Sequence, residues 1–159
     1  MPNMRKVLFP GSFDPFTIGH EIIVNEALNM GFQPVICFMN NPNKERMFPV
    51  DKMINAISRI WNDKVLIEKY NGNVSTFCDI NCIDYIIRGI RNSTDFEYEK
   101  NMSIYHYKFF GLHTILIPTD NDISSTMVRE LCKLKEFNTI RINRLVSPSV
   151  YDLIKILQT

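Results

Sequence analysis

Apolar residues fall along this chain in short blocks of two alternating kinds. Continuous runs at Lys6–Phe9 (KVLF), Pro34–Met39 (PVICFM), Val65–Glu68, Tyr85–Ile87 and His113–Ile117 predict five short buried strands. The first stops at Pro10-Gly11, and the second is followed by the loop Asn40-Asn41-Pro42-Asn43-Lys44. Between the runs the apolar spacing becomes helical. Glu21–Met30 carries Ile23, Ala27 and Met30 on one face, with Gly31 suited to the C-terminal stop. Val50–Trp61 carries a stripe of Met53, Ile54, Ile57 and Trp61. Further helices are predicted near Val74–Asn81, from Ser93 to Phe110, near Ser125–Leu134 and near Pro148–Leu157.

Strands that alternate with helices pair in parallel through right-handed crossovers, with helices packed on both faces. The expected fold class is therefore α/β: a Rossmann-like, doubly wound, parallel five-stranded sheet. No repeat, low-complexity tract or linker interrupts the pattern, so one domain is expected over residues 1–159. Composition agrees with this: 159 residues, 45% hydrophobic and 22% charged, suffice for a core without disulfide or metal staples. No apolar run approaches the ~18 residues of a membrane span. The basic start, Met1 to Lys6, is followed only by Val7-Leu8-Phe9, too short for a signal peptide, and a cytoplasmic location is expected. Cys37, Cys78, Cys82 and Cys132 form no CxxC pair. Cys78 and Cys82, one helical turn apart, are read either as half of a metal site or as small buried apolar residues of a reduced protein; the second is the expectation. A net charge of +1 argues against nucleic acid as a partner. Any anion must instead be held by locally placed groups.

In a sheet of this kind ligands sit beyond the carboxyl ends of the strands, so the residues there should carry chemistry. Gly11–His20 follows the first strand, Asn41–Arg46 the second, Arg88–Arg91 the fourth and Asp120–Thr126 the fifth. Gly11 allows a sharp turn off the strand and Gly19 a close approach to a ligand. Gly19-His20 opens a helix whose unpaired N–H groups and dipole favour a phosphate, to which a histidine can donate. Ser124 and Ser125 would cap the helix that follows them.

Four strings carry a resemblance to a known family. Ser12-Phe13-Asp14-Pro15 with Thr17-Ile18-Gly19-His20 resembles the T/SFDP-x-T-x-GH signature of the nucleotidyltransferase superfamily, and Ile123-Ser124-Ser125-Thr126 resembles its ISSS/T motif. Arg88-Gly89-Ile90-Arg91 followed by Asp95-Phe96-Glu97-Tyr98-Glu99 resembles the RG(L/I)R…DFEYE block of the phosphopantetheine adenylyltransferases, as does Lys44 with Met47-Phe48. The resemblance runs from Arg5 to about Leu157. It implies transfer of the adenylyl group of ATP to 4′-phosphopantetheine, giving dephospho-coenzyme A and pyrophosphate in coenzyme A biosynthesis, with Mg²⁺ as cofactor, coenzyme A as a further ligand and a homohexameric assembly.

By the same resemblance His20 stabilises the reacting α-phosphate. Lys44 and Arg88 hold the acceptor phosphate, Lys44 also touching the α-phosphate. Ser12 bridges the two substrates, and Val74 touches the pantetheine arm. Phe13, Gly89, Ile90, Arg91 and Glu99 face ATP, and Asp120, Asn121, Asp122, Ile123, Ser124, Ser125 and Thr126 close over it. His20, Lys44 and Arg91 are the catalytic candidates, and no residue is assigned as a metal ligand. Arg91, Asp95 and Glu99, at i, i+4 and i+8, also fit a surface ion-pair ladder. Lys44 and Arg46 also fit solvated loop charges, and His106, on the long helix, is read as structural. Ile18 stands where the family usually has Asn, Ser12 where Thr is commoner and Thr126 where Ser is found. The Pro118–Ile123 loop is slightly short and Lys135–Leu145 slightly long. Two other readings fit part of the pattern. Ser124–Arg129 (SSTMVR) resembles the nicotinate and nicotinamide mononucleotide adenylyltransferases, and the fold could also serve a non-catalytic nucleotide-binding module.

Overall fold

A computed structural model describes residues 3–39, 41–134 and 139–158. Its strands are β1 (Lys6–Gly11), β2 (Gln33–Met39), β3 (Leu66–Tyr70), β4 (Tyr85–Ile90) and β5 (His113–Pro118). They form one parallel sheet in the order β3-β2-β1-β4-β5, the doubly wound arrangement that the alternation predicts. The helices are α1 (Ile18–Asn29), α2 (Val50–Trp61), α3 (Val74–Ile80), α4 (Ser93–Phe110), α5 (Ser125–Cys132), α6 (Thr139–Ile142) and α7 (Pro148–Gln158).

Successive strand residues enter opposite cores, as the pleat requires. Val7, Phe9, Ile36, Phe38 and Ile87 join the cluster under α1, α2, α5 and α7. Leu8, Val35, Cys37 and Ile86 join the cluster under α3, with Phe77 and Cys78. Near-continuous apolar runs are what burial on both faces demands. The α2 stripe is as expected, with Met53 and Ile57 fully buried and Trp61 nearly so. On α1 the core face is Ile23, Val24 and Ala27, whereas Met30, which caps the last turn beside Gly31 (φ +85°), is exposed.

Several boundaries differ from the sequence expectation. β1 does not stop at Phe9 but continues through Pro10 and Gly11, opposite Cys37 and Phe38 of β2. It can do so because pairing with β4 ends at Leu8–Ile86, leaving Pro10 in a ladder on one side only. The fourth strand likewise runs on, so that Arg88, Gly89 and Ile90 lie within β4, paired to β5, rather than after it. A short 3₁₀ turn at Asn62–Lys64 and the four-residue α6 are additional. Residues 135–138 of the long Lys135–Leu145 stretch lie outside the described residues. Cys37, Cys78 and Cys132 are buried free thiols, but Cys82 is exposed, in a left-handed turn (φ +54°) after α3 that points its side chain away from the core. Among the described residues no group of three or more His, Cys, Asp or Glu side chains could hold a metal, and no helix is long and apolar enough to cross a membrane.

Candidate active site

Because β1 and β4 part company after Leu8, a crevice opens at the point where the strand order reverses. Two cavities of about 290 Å³ each meet there, sharing Pro10, Gly11, Ser12, Lys44, Arg88 and Glu99. One is polar and lies over the start of α1 and α5; the other is mostly apolar and runs under α4.

The polar cavity is built on two helix N-termini. Thr17, 2% exposed, caps α1, its hydroxyl receiving the His20 N–H. The Thr17 backbone N–H in turn donates to His20 Nδ1 at 2.9 Å. A nitrogen that accepts from a main-chain N–H carries no proton, so the neutral ring bears its hydrogen on Nε2. Phe13 and Phe16 pack on this ring, each with centroids at 5.1 Å. Burial, with the added repulsion of the Arg88 and Arg91 charges, lowers the His20 pKa to about 3. His20 therefore meets a phosphate as a neutral, oriented donor. Ser124 caps α5 through Met127 N–H at 3.1 Å, but Ser125 does not share the capping: its hydroxyl donates to Pro15 O at 2.8 Å, tying α5 to the first loop.

That burial also predicts a pH dependence. Between about 3 and its ordinary value near 6.5, His20 binds a proton in the unfolded chain but not in the folded one. Its contribution to stability is thus complete above 6.5 and is lost as the pH falls through that window. Without nucleotide, wild type is expected to lose up to about 2 kcal/mol between pH 7.5 and pH 5 that His20→Asn does not lose. Chemical denaturation of both proteins across that range checks it.

The Ser12–Pro15 loop is held from two sides. Phe13 sits at φ +48°, a strained conformation for a residue with a side chain, with its ring 3% exposed between Phe9 and Phe38. Arg46 donates to the carbonyls of Ser12 and Phe13 and, through Nε, to Phe48 O. The Asp14 carboxylate accepts the N–H groups of Met47 and Phe48 at 2.9 and 2.8 Å. Arg129 Nη1 reaches Asp14 O at 2.7 Å. Arg46 is thus no solvated loop charge. Its removal by Arg46→Ala is expected to cost about 2 kcal/mol, a fall of several degrees in Tm, and to raise the KM for the nucleotide as Phe13 loosens. Thermal melts and nucleotide titrations measure the two effects. Lys44, by contrast, is exposed and has no ion-pair partner among the described residues, so its ammonium is free for a ligand.

Arg88 enters the crevice from β4. Its Nε and Nη2 both reach Glu99 Oε1, at 3.0 and 2.9 Å, and its Nη1 donates to Pro10 O. Glu99 is 6% exposed and is spent on Arg88, so the surface ladder does not form; only its Arg91–Asp95 rung exists, at 3.0 Å. Arg91 nonetheless lines the polar cavity with Gly89. A Cβ on Gly89 would stand 2.5 Å from Ile23 Cδ1, so a side chain there would displace the end of Ile23.

Of the residues expected at the site, His20, Lys44, Ser12, Phe13, Arg88, Gly89, Arg91, Glu99, Ile123, Ser124, Ser125 and Thr126 converge on the polar cavity, and Val74 lines the apolar one. Ile90, Asp120, Asn121 and Asp122 line neither. In that loop Asp120 instead turns its carboxylate to Asp122 N–H, and Asn121 accepts from Asn92. Ile18, in the position where Asn is usual, supplies only its N–H, to Leu145 O at 2.8 Å. The sequence assigns no site role to Thr17, Arg129 and Thr119, which line the polar cavity, or to Tyr98, Met102 and His106, which line the apolar one. The spacing Tyr98–Met102–His106, one residue per helical turn on one face of α4, is the signal that could have found the last three.

A parallel sheet whose strand-end crevice is lined by Gly19, His20, Arg91 and the Ser124-capped helix has the parts that a nucleotidyltransferase requires. The cytidylyltransferase-like family model matches residues 8–131, most of the chain, and the chain belongs to that family. Within it, the chain is 40% identical over 133 residues to the phosphopantetheine adenylyltransferase of Phocaeicola vulgatus, covering 80% of this chain and 88% of that protein. It is 38% identical over 133 residues to the phosphopantetheine adenylyltransferase of Bacteroides fragilis, covering 80% and 89%. It is a member of the phosphopantetheine adenylyltransferase branch of the family. Among solved structures, the nicotinic acid mononucleotide adenylyltransferase of Plasmodium falciparum complexed with NaAD shares the fold, with a TM-score of 0.64 and 15% identity over 97% of this chain and 96% of that one.

Proposed function

We propose that this chain transfers the adenylyl group of ATP to 4′-phosphopantetheine, releasing pyrophosphate and forming dephospho-coenzyme A. The observation that carries this reading is the junction of two unlike cavities at Ser12, Lys44 and Arg88. One is lined by helix N-termini, His20 and Arg91, as a triphosphate needs. The other, with Met39, Val74, Ile86 and Met102, suits an extended, largely uncharged arm. At their meeting point an acceptor phosphate oxygen would attack the α-phosphorus. The new P–O bond forms as the bond from that phosphorus to the bridging oxygen breaks, and pyrophosphate departs with the electron pair.

Such a reaction asks for positioning and charge neutralisation, not a covalent nucleophile. Lys44 and Arg88 would hold the acceptor phosphate, and Lys44 would also meet the α-phosphate. His20 Nε2–H would donate to the oxygens on which charge builds. Ser12 and the Phe13 N–H would bridge the substrates, and Arg91, with the α5 N-terminus at Ser124, Ser125 and Thr126, would hold the triphosphate tail. Mg²⁺ would accompany the triphosphate, neutralising charge between its phosphates. The three buried free thiols fit the reducing cytoplasm, and the single sheet with a core on each face fits one domain.

Assembly of several copies, a homohexamer by the family resemblance, is supported by α4. Ile104, Tyr105, Tyr107, Phe109 and Phe110 are all 45% or more exposed on a helix with one buried residue. Light scattering of the purified protein measures the number of copies.

The rival reading, nicotinate mononucleotide as acceptor, draws on the Ser124–Arg129 string. In this chain Arg129 is engaged with the Asp14 carbonyl and the Thr126 hydroxyl. Pyrophosphate release with ATP, Mg²⁺ and each acceptor in turn decides between them. Turnover is expected with 4′-phosphopantetheine; turnover with nicotinate mononucleotide alone would overturn the assignment.

A further inference from the structure

One side chain braces the crevice without entering it. Arg46 lines neither of the two cavities that meet at Ser12. Its guanidinium lies behind the Ser12–Pro15 loop, in a third cavity of about 520 Å³ bounded by Phe38, Pro49, Val50 and Tyr70, with Cζ 5.8 Å from the centre of the Phe38 ring. From there Nη1 donates to Ser12 O and Nη2 to Phe13 O at 3.3 Å. The Nε bond to Phe48 O, at 3.0 Å, and the Asp14 carboxylate, 3.8 Å from Nη2, hold the guanidinium in turn. The next two carbonyls of the loop are held by α5 instead, Asp14 O by Arg129 and Pro15 O by Ser125. Only the Ser12 and Phe13 carbonyls depend on Arg46.

In a planar trans peptide a carbonyl and the N–H that follows it point in opposite directions. With Ser12 O drawn back to Arg46, the Phe13 N–H points forward, toward the polar cavity that Ser12 and Phe13 line with His20 and Lys44. This orientation goes with Phe13 at φ +48°, a conformation that a phenylalanine seldom adopts. The same loop has a relaxed alternative. Turning over the one peptide between Ser12 and Phe13, the change that separates type II from type I turns, returns φ of Phe13 to negative values and moves the flanking side chains little. The Phe13 ring keeps its place over Gly11, where a Cβ would stand 2.9 Å from it. The relaxed peptide presents Ser12 O, and not Phe13 N–H, to the polar cavity.

Resting on the adenylyl transfer proposed above, we infer that Arg46 is a positioning residue for the reaction: by holding Ser12 O behind the loop, it keeps the Ser12–Phe13 peptide with its N–H, and not its carbonyl, toward the reacting phosphates. Backbone strain at Phe13 pulls this peptide toward the carbonyl-in form, and one guanidinium opposes it. Arg46 itself touches no substrate in this arrangement. Its effect falls on the step in which charge builds on the phosphate oxygens, where exchanging a donor for an acceptor turns attraction into repulsion.

The test compares wild type with Arg46→Met, which keeps a stem over Phe38 but has no donor. Both full chains are assayed with ATP, Mg²⁺ and 4′-phosphopantetheine, at a temperature where circular dichroism shows them folded. Arg46→Met is expected to lower kcat about twenty-fold, to raise the KM for ATP about three-fold and to leave the KM for 4′-phosphopantetheine within about two-fold. A crystal structure of the variant is expected to show Phe13 at negative φ, with Ser12 O turned to the polar cavity. An unchanged kcat, whatever the loss in Tm, would overturn the proposal, since Arg46 would then serve the fold alone. A variant that loses kcat while Phe13 stays near φ +48° would overturn it too. Wild type that releases no pyrophosphate with 4′-phosphopantetheine would instead overturn the function proposed above, and the conformation of Phe13 in the variant would still decide whether Arg46 sets the peptide.

Discussion

His20→Ala is expected to lower kcat by a factor on the order of a thousand while leaving ATP affinity within a few-fold. The reason lies in how the ring is held. Its Nδ1 is fixed by the Thr17 N–H and its faces are packed by Phe13 and Phe16, so Nε2–H is aimed before any substrate arrives. A donor oriented in advance gains most where charge grows during the reaction, and little where the charge is already present in the ground state. On the proposed function, triphosphate affinity would rest instead on Arg91 and on the helix ends capped by Thr17 and Ser124, which line the polar cavity. Steady-state kinetics alongside equilibrium nucleotide binding separate the two effects, and unchanged turnover would contradict the role. A thermal melt at pH 7.5 distinguishes lost chemistry from a lost fold; the small loss of ring packing should cost a few degrees at most.

Arg88→Met has the largest expected effect on stability as well as on activity. Glu99 is buried and both of its contacts with Arg88 go to a single oxygen, so the variant leaves a carboxylate in the crevice without its partner. Breaking a fully buried pair typically costs 3–5 kcal/mol, and since the Arg88 side chain is 32% exposed, about 2–3 kcal/mol is expected here, a fall in Tm of roughly 5–10 °C. The double variant Arg88→Met/Glu99→Gln removes the stranded charge and should recover much of that Tm. Adenylyl transfer should recover in neither, because no guanidinium is left for the acceptor phosphate. A double variant that regained activity along with stability would show that Arg88 matters only to the fold.

How far the site was legible in the sequence differs from residue to residue. The convergence of His20, Lys44, Arg88, Arg91 and Ser124 could be read because each follows or ends a strand, and strand order in a parallel sheet carries such positions to one edge. The partners they have there could not. Arg91, Asp95 and Glu99 have ladder spacing, yet Glu99 turns inward to Arg88, which is eleven residues away in the chain and adjacent only because α4 packs back on β4. Arg46 looks like one more loop charge until β2 and β1 bring it against the Ser12 and Phe13 carbonyls. Asp120 and Asn121, in a promising loop, satisfy local N–H and amide groups instead of lining the cavity. Exposure of Cys82 and Met30 likewise depends on a turn at each helix end that periodicity does not register.

By itself the sequence determined the order of strands and helices, because burial on both faces makes parallel strands apolar throughout, and helices apolar every three or four residues. It also pointed to most of the residues that line the crevice, because a parallel sheet carries the glycines, caps and cations at its strand ends to one edge. The tertiary structure decided three further things. It ended the β1–β4 pairing at Leu8 and so opened the crevice. It buried Glu99 against Arg88, and it packed His20 among three phenylalanines, where desolvation keeps the imidazole neutral. It also brought His106 and Thr114, from a helix and a strand, to line one cavity. Pairing, burial and cavity shape arise from contacts between segments distant in the chain, and no local pattern of residue types encodes them.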